Sequence, residues 1–145
     1  MPHLTLSLNP LGPLIEVLIG ISTPRRTALE KENMRVPNAV IAKLLIDTGA
    51  SCTCINPAIL EPLGIAPTGA INIQTPSTNG KPVSCPQYDV AMMIYHTDNS
   101  RFLPTIAVTG ADVSSQGIDG LLGRDVLAHC LFVYDGRAEF FQLAF

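Results

Sequence analysis

The segment Lys43-Leu44-Leu45-Ile46-Asp47-Thr48-Gly49-Ala50-Ser51 runs an apolar stretch directly into an acid, a small hydroxyl residue and a glycine. A carboxylate at the end of a buried strand is costly unless it is hydrogen-bonded or protonated. Thr48 can supply a hydroxyl, and Gly49 permits a tight turn and the close approach of another backbone. So placed, Asp47 could act as a general acid or base. The same residues also suit an Asx turn that simply ends a strand, and the segment alone leaves both readings open. Cys52-Thr53-Cys54 follows at once, and Cys85 and Cys130 complete the cysteines. A zinc site would need two ligands beyond this pair, with His96, His129 and Cys130 as the candidates. Free buried thiols fit the pattern better. A chain with this apolar content has no need of disulfides. Neither a metal nor a cofactor is expected.

The elements that would position Asp47 are short apolar runs separated by Pro, Gly, Asn and Ser, the punctuation of an all-β domain. Leu14 to Ile19 reads as a strand with Glu16 facing out. Residues 22–38 are polar and charged, carry Pro24 and Pro37, and read as an insertion between strands, in part helical. Val40 to Ile46 is the strand that delivers Asp47. Asn56-Pro57 opens a short helix, Asn capping free N–H groups and Pro fitting the first turn. Pro62 and Gly64 end it. Ile71 to Gln74 alternates with period two, and Asn79-Gly80 is a favoured hairpin dipeptide. Tyr88 to Tyr95 and Phe102 to Val108 read as strands joined by Asp98-Asn99-Ser100. Ile118 to Leu122 is apolar apart from Asp119 and Gly120. Arg124 to Cys130 suits a short helix, and Phe132 to Tyr134 and Glu139 to Leu143 a hairpin around Asp135-Gly136. No repeat, no linker and no second copy of the Asp47 segment is found, so residues 1–145 are read as one domain.

Leu121-Leu122-Gly123-Arg124-Asp125-Val126-Leu127 is the second segment of interest. Together with Leu45-Ile46-Asp47-Thr48-Gly49-Ala50-Ser51, then Thr53 and Ile55, it resembles the ordered pair of motifs of the retropepsin-like aspartic proteases. The resemblance runs from about Leu14 to the C-terminus. It implies an all-β, closed acid-protease barrel with one or two short helices and an aspartic endopeptidase activity. Asp47 would be the catalytic carboxylate. Thr48 would hold a partner's loop, Gly49 would let substrate backbone approach, and Ala50 would complete the active-site loop. Leu121, Leu122 and Gly123 would thread beside that loop and support it. Arg124 would make an ion pair or hydrogen bonds near the dimer contact, or simply be a solvated arginine at a helix start. Asp119 is read as a structural turn residue. The flap is placed at about 72–84, with Thr75, Pro76, Ser77, Thr78, Asn79 and Gly80 at its turn. Retroviral members have a glycine-rich flap, which this chain lacks.

The chemistry of that family needs two carboxylates facing one water, one ionised and one holding a proton. The chain offers one Asp-Thr-Gly, so the resemblance implies a homodimer with the site on its two-fold axis and a peptide or protein as substrate. Leu4 to Leu8 and Glu139 to Phe145 are the candidates for terminal strands that tie two chains together; the alternative is that they pack on their own chain. A catalytically silent relative, used for dimerisation or peptide binding, is the rival reading.

Composition narrows the field further. The 145 residues are 47% hydrophobic and only 14% charged, with a formal net charge of -3. That supports a packed core over disorder. No basic stripe points to nucleic acid. No apolar run approaches the length of a membrane span. No Lys or Arg precedes the first apolar stretch, and Pro2, Pro10 and Pro13 interrupt it, unlike a signal peptide. A cytoplasmic location is expected, as a free protein or as a domain of a longer precursor.

Overall fold

Alternation of apolar and polar residues sets the strands. In β2 (Leu14–Ile21), Ile15, Val17, Ile19 and Ile21 are buried while Glu16 faces water. In β3 (Val40–Ile46), Ala42, Leu44 and Ile46 turn inward, and Lys43 faces Glu16 across the antiparallel pair. The computed structural model describes residues 1–145, apart from the side chain of Ser77. Between these strands, the insertion 22–38 contains the helix α1 (Thr23–Lys31). The Ser22 hydroxyl caps it by accepting from the Arg25 N–H, Pro24 sits in its first turn, and Leu29 is its buried anchor. No helix among the described residues is long and apolar enough to cross a membrane.

Further along, β4 (Cys54–Ile55) is followed by α2 (Pro57–Leu60), whose start is capped by the Asn56 side chain accepting from Ala58 N–H at 3.0 Å. The strands β5 (Gly69–Ile73), β6 (Val83–His96) and β7 (Asn99–Gly110) make a meander. Both long strands exceed the expected bounds. The turn between them is at Thr97-Asp98, not Asp98-Asn99-Ser100, because Thr97 adopts φ +45° and His96 pairs with Asn99. The Asn99 amide then donates to the His3 carbonyl at 2.8 Å, which fixes it in β7. After β8 (Gly120–Leu122) and α3 (Arg124–Leu127), the chain ends in the hairpin of β9 (Leu131–Asp135) and β10 (Phe140–Ala144).

Six strands close a barrel in the order β2-β3-β8-β4-β7-β6, with β6 pairing back to β2. β5 extends this sheet beyond β6. Val17, Ile19, Leu44, Ile55, Val90, Met92, Ile94 and Leu122 fill the interior. The fold is therefore mostly β with a few short helices. β1 (His3–Ser7), β10 and β9 form a separate three-stranded sheet. Within the chain the terminal segments pack on each other. β1 pairs antiparallel with β10 of its own chain, Leu4 opposite Leu143 and Leu6 opposite Phe141. The reason is burial: Leu4, Phe141 and Leu143 are almost wholly removed from water.

Candidate active site

β8 lies between β3 and β4, parallel to the first and antiparallel to the second. Because β3 and β4 are consecutive in the chain, the segment joining them, residues 47–53, must cross the end of β8. This crossing explains the glycines. A Cβ on Gly120 would sit 2.1 Å from the Cys54 carbonyl oxygen, and one on Gly123 2.6 Å from the Cys52 carbonyl carbon. Leu121 and Leu122 pair with Leu45 and Ile46. The Asp47 N–H donates to the Leu122 carbonyl at 3.0 Å, which extends the parallel ladder by one residue.

The loop is then closed on itself and held by α3. The Ala50 N–H donates to the Asp47 carbonyl at 3.1 Å. The Gly49 N–H donates to Asp47 Oδ1 at 2.8 Å. That bond fixes the half-buried carboxyl group and leaves Oδ2 without a partner among the described residues. The Arg124 backbone N–H donates to the Ala50 carbonyl at 2.9 Å. Its guanidinium Nη1 donates to the Thr48 carbonyl, also at 2.9 Å. Arg124 thus clasps the loop from outside while remaining exposed. Thr48 and Gly49 are exposed in the single chain.

A second clasp was not assigned from sequence. Thr53, fully buried, donates its hydroxyl to Asp125 Oδ1 at 2.7 Å and accepts from the Gly123 N–H at 3.0 Å. The Thr53 N–H donates to Asp125 Oδ2 at 2.9 Å, and the Val126 N–H to Asp125 Oδ1 at 2.9 Å. One carboxylate therefore joins the far end of the loop to the start of α3. The signal was present as a hydroxyl residue after the Asp47 turn and an acid in the first turn of a helix. Asp119 has the structural place expected of it, its carboxylate accepting the Lys43 N–H at 2.8 Å.

Asp47, Gly49, Ala50 and Leu121 form one wall of a cleft of about 540 Å³. Ile71 to Pro76 also line it. Leu122 and Gly123 are buried behind the loop, outside the cleft. Of the turn 75–80, Thr75 and Pro76 border the cleft; the Ser77 side chain is outside the described residues. That turn is tightly knit. The Thr78 hydroxyl accepts from the Thr75 N–H at 3.1 Å and donates to the Thr75 carbonyl at 2.8 Å, and the Gln74 amide donates to the Gly80 carbonyl. Asn79 and Gly80 adopt positive φ, as the hairpin dipeptide requires. Cys52 and Cys54 also border the cleft, and Cys52 contacts the Thr109 hydroxyl at 3.6 Å. All four cysteines are free thiols. Burial pushes the Cys54 thiol above its ordinary value, partly offset by a backbone hydrogen bond at Leu121 and reinforced by the neighbouring Cys52, Asp47 and Cys85.

Comparison with known proteins agrees with this geometry. The model of the family described as aspartyl protease matches residues 34–126, more than half of the chain, and spans both the Asp47 loop and the start of α3. Among solved structures, the chain is similar to a retropepsin-like aspartic protease from Rickettsia conorii. The TM-score is 0.56 at 16% identity, covering 97% of this chain and 89% of that one. No curated protein matches the sequence. With a strand-end Asp-Thr-Gly crossing Leu-Leu-Gly, a fold shared with a retropepsin-like protein, and a family match over both segments, the chain belongs to the aspartyl protease family.

Proposed function

We propose that the protein is an aspartic endopeptidase that works as a homodimer, each chain supplying one Asp47 to a shared site. The observation that carries this reading is the Asp47 carboxyl group itself. It is held by the Gly49 N–H through Oδ1, with Oδ2 open, at the wall of a cleft of about 540 Å³. Two such groups related by a two-fold axis would share a proton across one water. The ionised member takes a proton from the water, which attacks the scissile carbonyl carbon, and the protonated member donates to the carbonyl oxygen. The hairpin of β5 and β6, with its turn at 75–80, acts as the flap that excludes bulk water. Ile71, Ile73 and Leu121 in the cleft suit apolar side chains on the substrate.

The test is cleavage of a peptide library between about pH 4 and pH 7, the range in which carboxylate dyads change state, by the wild type and by Asp47→Asn. The substitution is nearly isosteric, so the variant should fold and lose cleavage by at least about a thousandfold. Equal cleavage by both would remove Asp47 from the mechanism. Peptide binding without cleavage by either would favour a silent, peptide-binding relative.

A further inference from the structure

We infer that Cys52 is a site of reversible covalent modification, where a small cationic disulfide is captured and one half of it stays in the cleft that Asp47 borders. This rests on the reading of that cleft as the substrate site, and it adds a control on it. The cysteines are not equivalent. Cys54 and Cys85 are buried. Burial raises the Cys54 thiol, so it stays protonated and inert, since the thiolate is the nucleophile. Cys130 lies outside the cleft, donates its thiol to the Val126 carbonyl at 3.6 Å, and is also raised by burial. Cys52 alone both borders the cleft and is only half-buried.

Its sulfur has a fixed partner. Thr109 is 1% exposed, and its hydroxyl lies 3.6 Å from Cys52 Sγ at the cleft wall. The Thr109 N–H donates to the Thr53 carbonyl at 2.9 Å, and Thr109 pairs with Cys54 across β4 and β7. Thr53 is itself clasped by Asp125. Both sides of the sulfur contact are therefore rigid. A thiol can donate or accept, but a thiolate only accepts. In the attacking form the hydroxyl must donate, and it holds the sulfur toward the cavity.

Charge selects the reagent. Among the described residues lining the cleft, Asp47 is the only charged side chain. A carboxylate in a cleft draws cations in and repels anions. The Cys52 thiolate attacks one sulfur of the disulfide. A new Cys52 S–S bond forms as the old S–S bond breaks. Cys52 is oxidised to a mixed disulfide, and the leaving sulfur is reduced and takes a proton from water. The half that remains occupies space that a peptide needs, and a free thiol reverses the exchange.

Cystamine, which is cationic, and dithiodipropionate, which is anionic, are the probes. Wild type in cystamine should gain one cysteamine, mapped to Cys52 by mass spectrometry of its fragments. Peptide cleavage should fall in proportion to the fraction labelled and return with dithiothreitol. Cys52→Ala, compared with its own untreated rate, should keep cleaving in cystamine. Cystamine should label Cys52 at least about fivefold faster than dithiodipropionate, and Asp47→Asn should shrink that preference while still taking the label. Thr109→Val should slow labelling by about threefold or more. Label falling first on Cys130, or full label at Cys52 with cleavage unchanged, would overturn the inference. So would a probe preference that is the same in wild type and Asp47→Asn. The mapping needs no activity, so the two readings fail separately. A protein labelled at Cys52 that cleaves no peptide before treatment would overturn the protease and support the modification site. A cleaving enzyme with an inert Cys52 would do the reverse.

Discussion

Replacing Thr53 by valine keeps the size and branching of the side chain but deletes its hydroxyl. In the folded chain that hydroxyl donates to Asp125 at 2.7 Å and accepts from the Gly123 N–H at 3.0 Å. Gly123 and Thr53 are both buried, so water cannot take the hydroxyl's place. Leaving a buried donor unpaired costs about 1–3 kcal/mol, and a hydrogen bond to a charged group contributes about 1.5–3 kcal/mol. The two losses share one atom and will not add fully. We predict a destabilisation of about 2–4 kcal/mol, which for a domain of this size lowers the melting midpoint by roughly 5–15 °C. Urea denaturation and thermal scanning at matched protein concentration would measure it. Thr53→Ser keeps the hydroxyl and should lose about 1 kcal/mol or less from its missing methyl. A valine variant within about 0.5 kcal/mol of wild type would refute the reasoning, because the clasp would then contribute nothing to holding the loop on α3.

Three further outcomes follow from the same geometry. Gly120→Ala drives a Cβ into the Cys54 carbonyl oxygen at 2.1 Å, so β8 must separate from β4; we expect a loss of more than about 3 kcal/mol or no folded protein, read by circular dichroism, and a normally stable variant would contradict the close approach. Thr78→Val removes both hydroxyl bonds to Thr75 that stiffen the turn at the cleft; stability should change by less than about 1 kcal/mol at this solvent-facing site, while kcat/KM for a peptide falls severalfold, and unchanged kinetics would argue against a flap there. The Cys54 thiol, raised by burial above its ordinary value of 9.0, stabilises the fold fully below that pH, and the contribution is lost as pH rises through the higher folded value; the stability advantage of wild type over Cys54→Ala should therefore shrink above about pH 9, and a constant difference across that range would show that the thiol is not held neutral by the fold.

The site was legible in the sequence where chemistry and position coincide. Asp47 ends a strand whose alternation is plain from Val40 to Ile46, and both facts sit within a few residues of each other. Leu121 to Gly123 was recognisable beside it only through family resemblance. The pairing of β8 between β3 and β4 is non-local, and nothing in the local pattern of Gly120-Leu121-Leu122 says which neighbours it will have. Asp125 went unassigned for the same reason, since its partner Thr53 is 72 residues away. The course of the termini was open for a different reason. Alternation in Leu4 to Leu8 shows that one face must be covered, but it cannot say by which chain, and the structure covers it with β10 of the same one. The helix in 22–38 was only half visible. Its apolar content is a single buried residue, Leu29, so the Ser22 cap and Pro24 carry most of its signal.

The anchoring of the Asp47 loop is one-sided, and this bears on how a single Asp can serve a two-carboxylate reaction. Among the described residues, the hydrogen bonds on residues 47–53 come from main-chain groups, from the Asp47 carboxylate itself, and from the side chains of Thr109, Arg124 and Asp125. The opposite side, Thr48 and Gly49, is left exposed. A carboxylate pair works only if the distance between its members is fixed to a fraction of an ångström, because proton sharing falls off steeply with separation. In a homodimer that distance is the product of two loop positions and one interface. A loop already fixed by its own chain removes two of the three uncertainties. The remaining one is the placement of the axis. Stability and catalysis should therefore separate at the exposed Thr48: a change there leaves the clasps of Arg124 and Asp125 in place, so the chain should keep its melting midpoint while peptide cleavage falls.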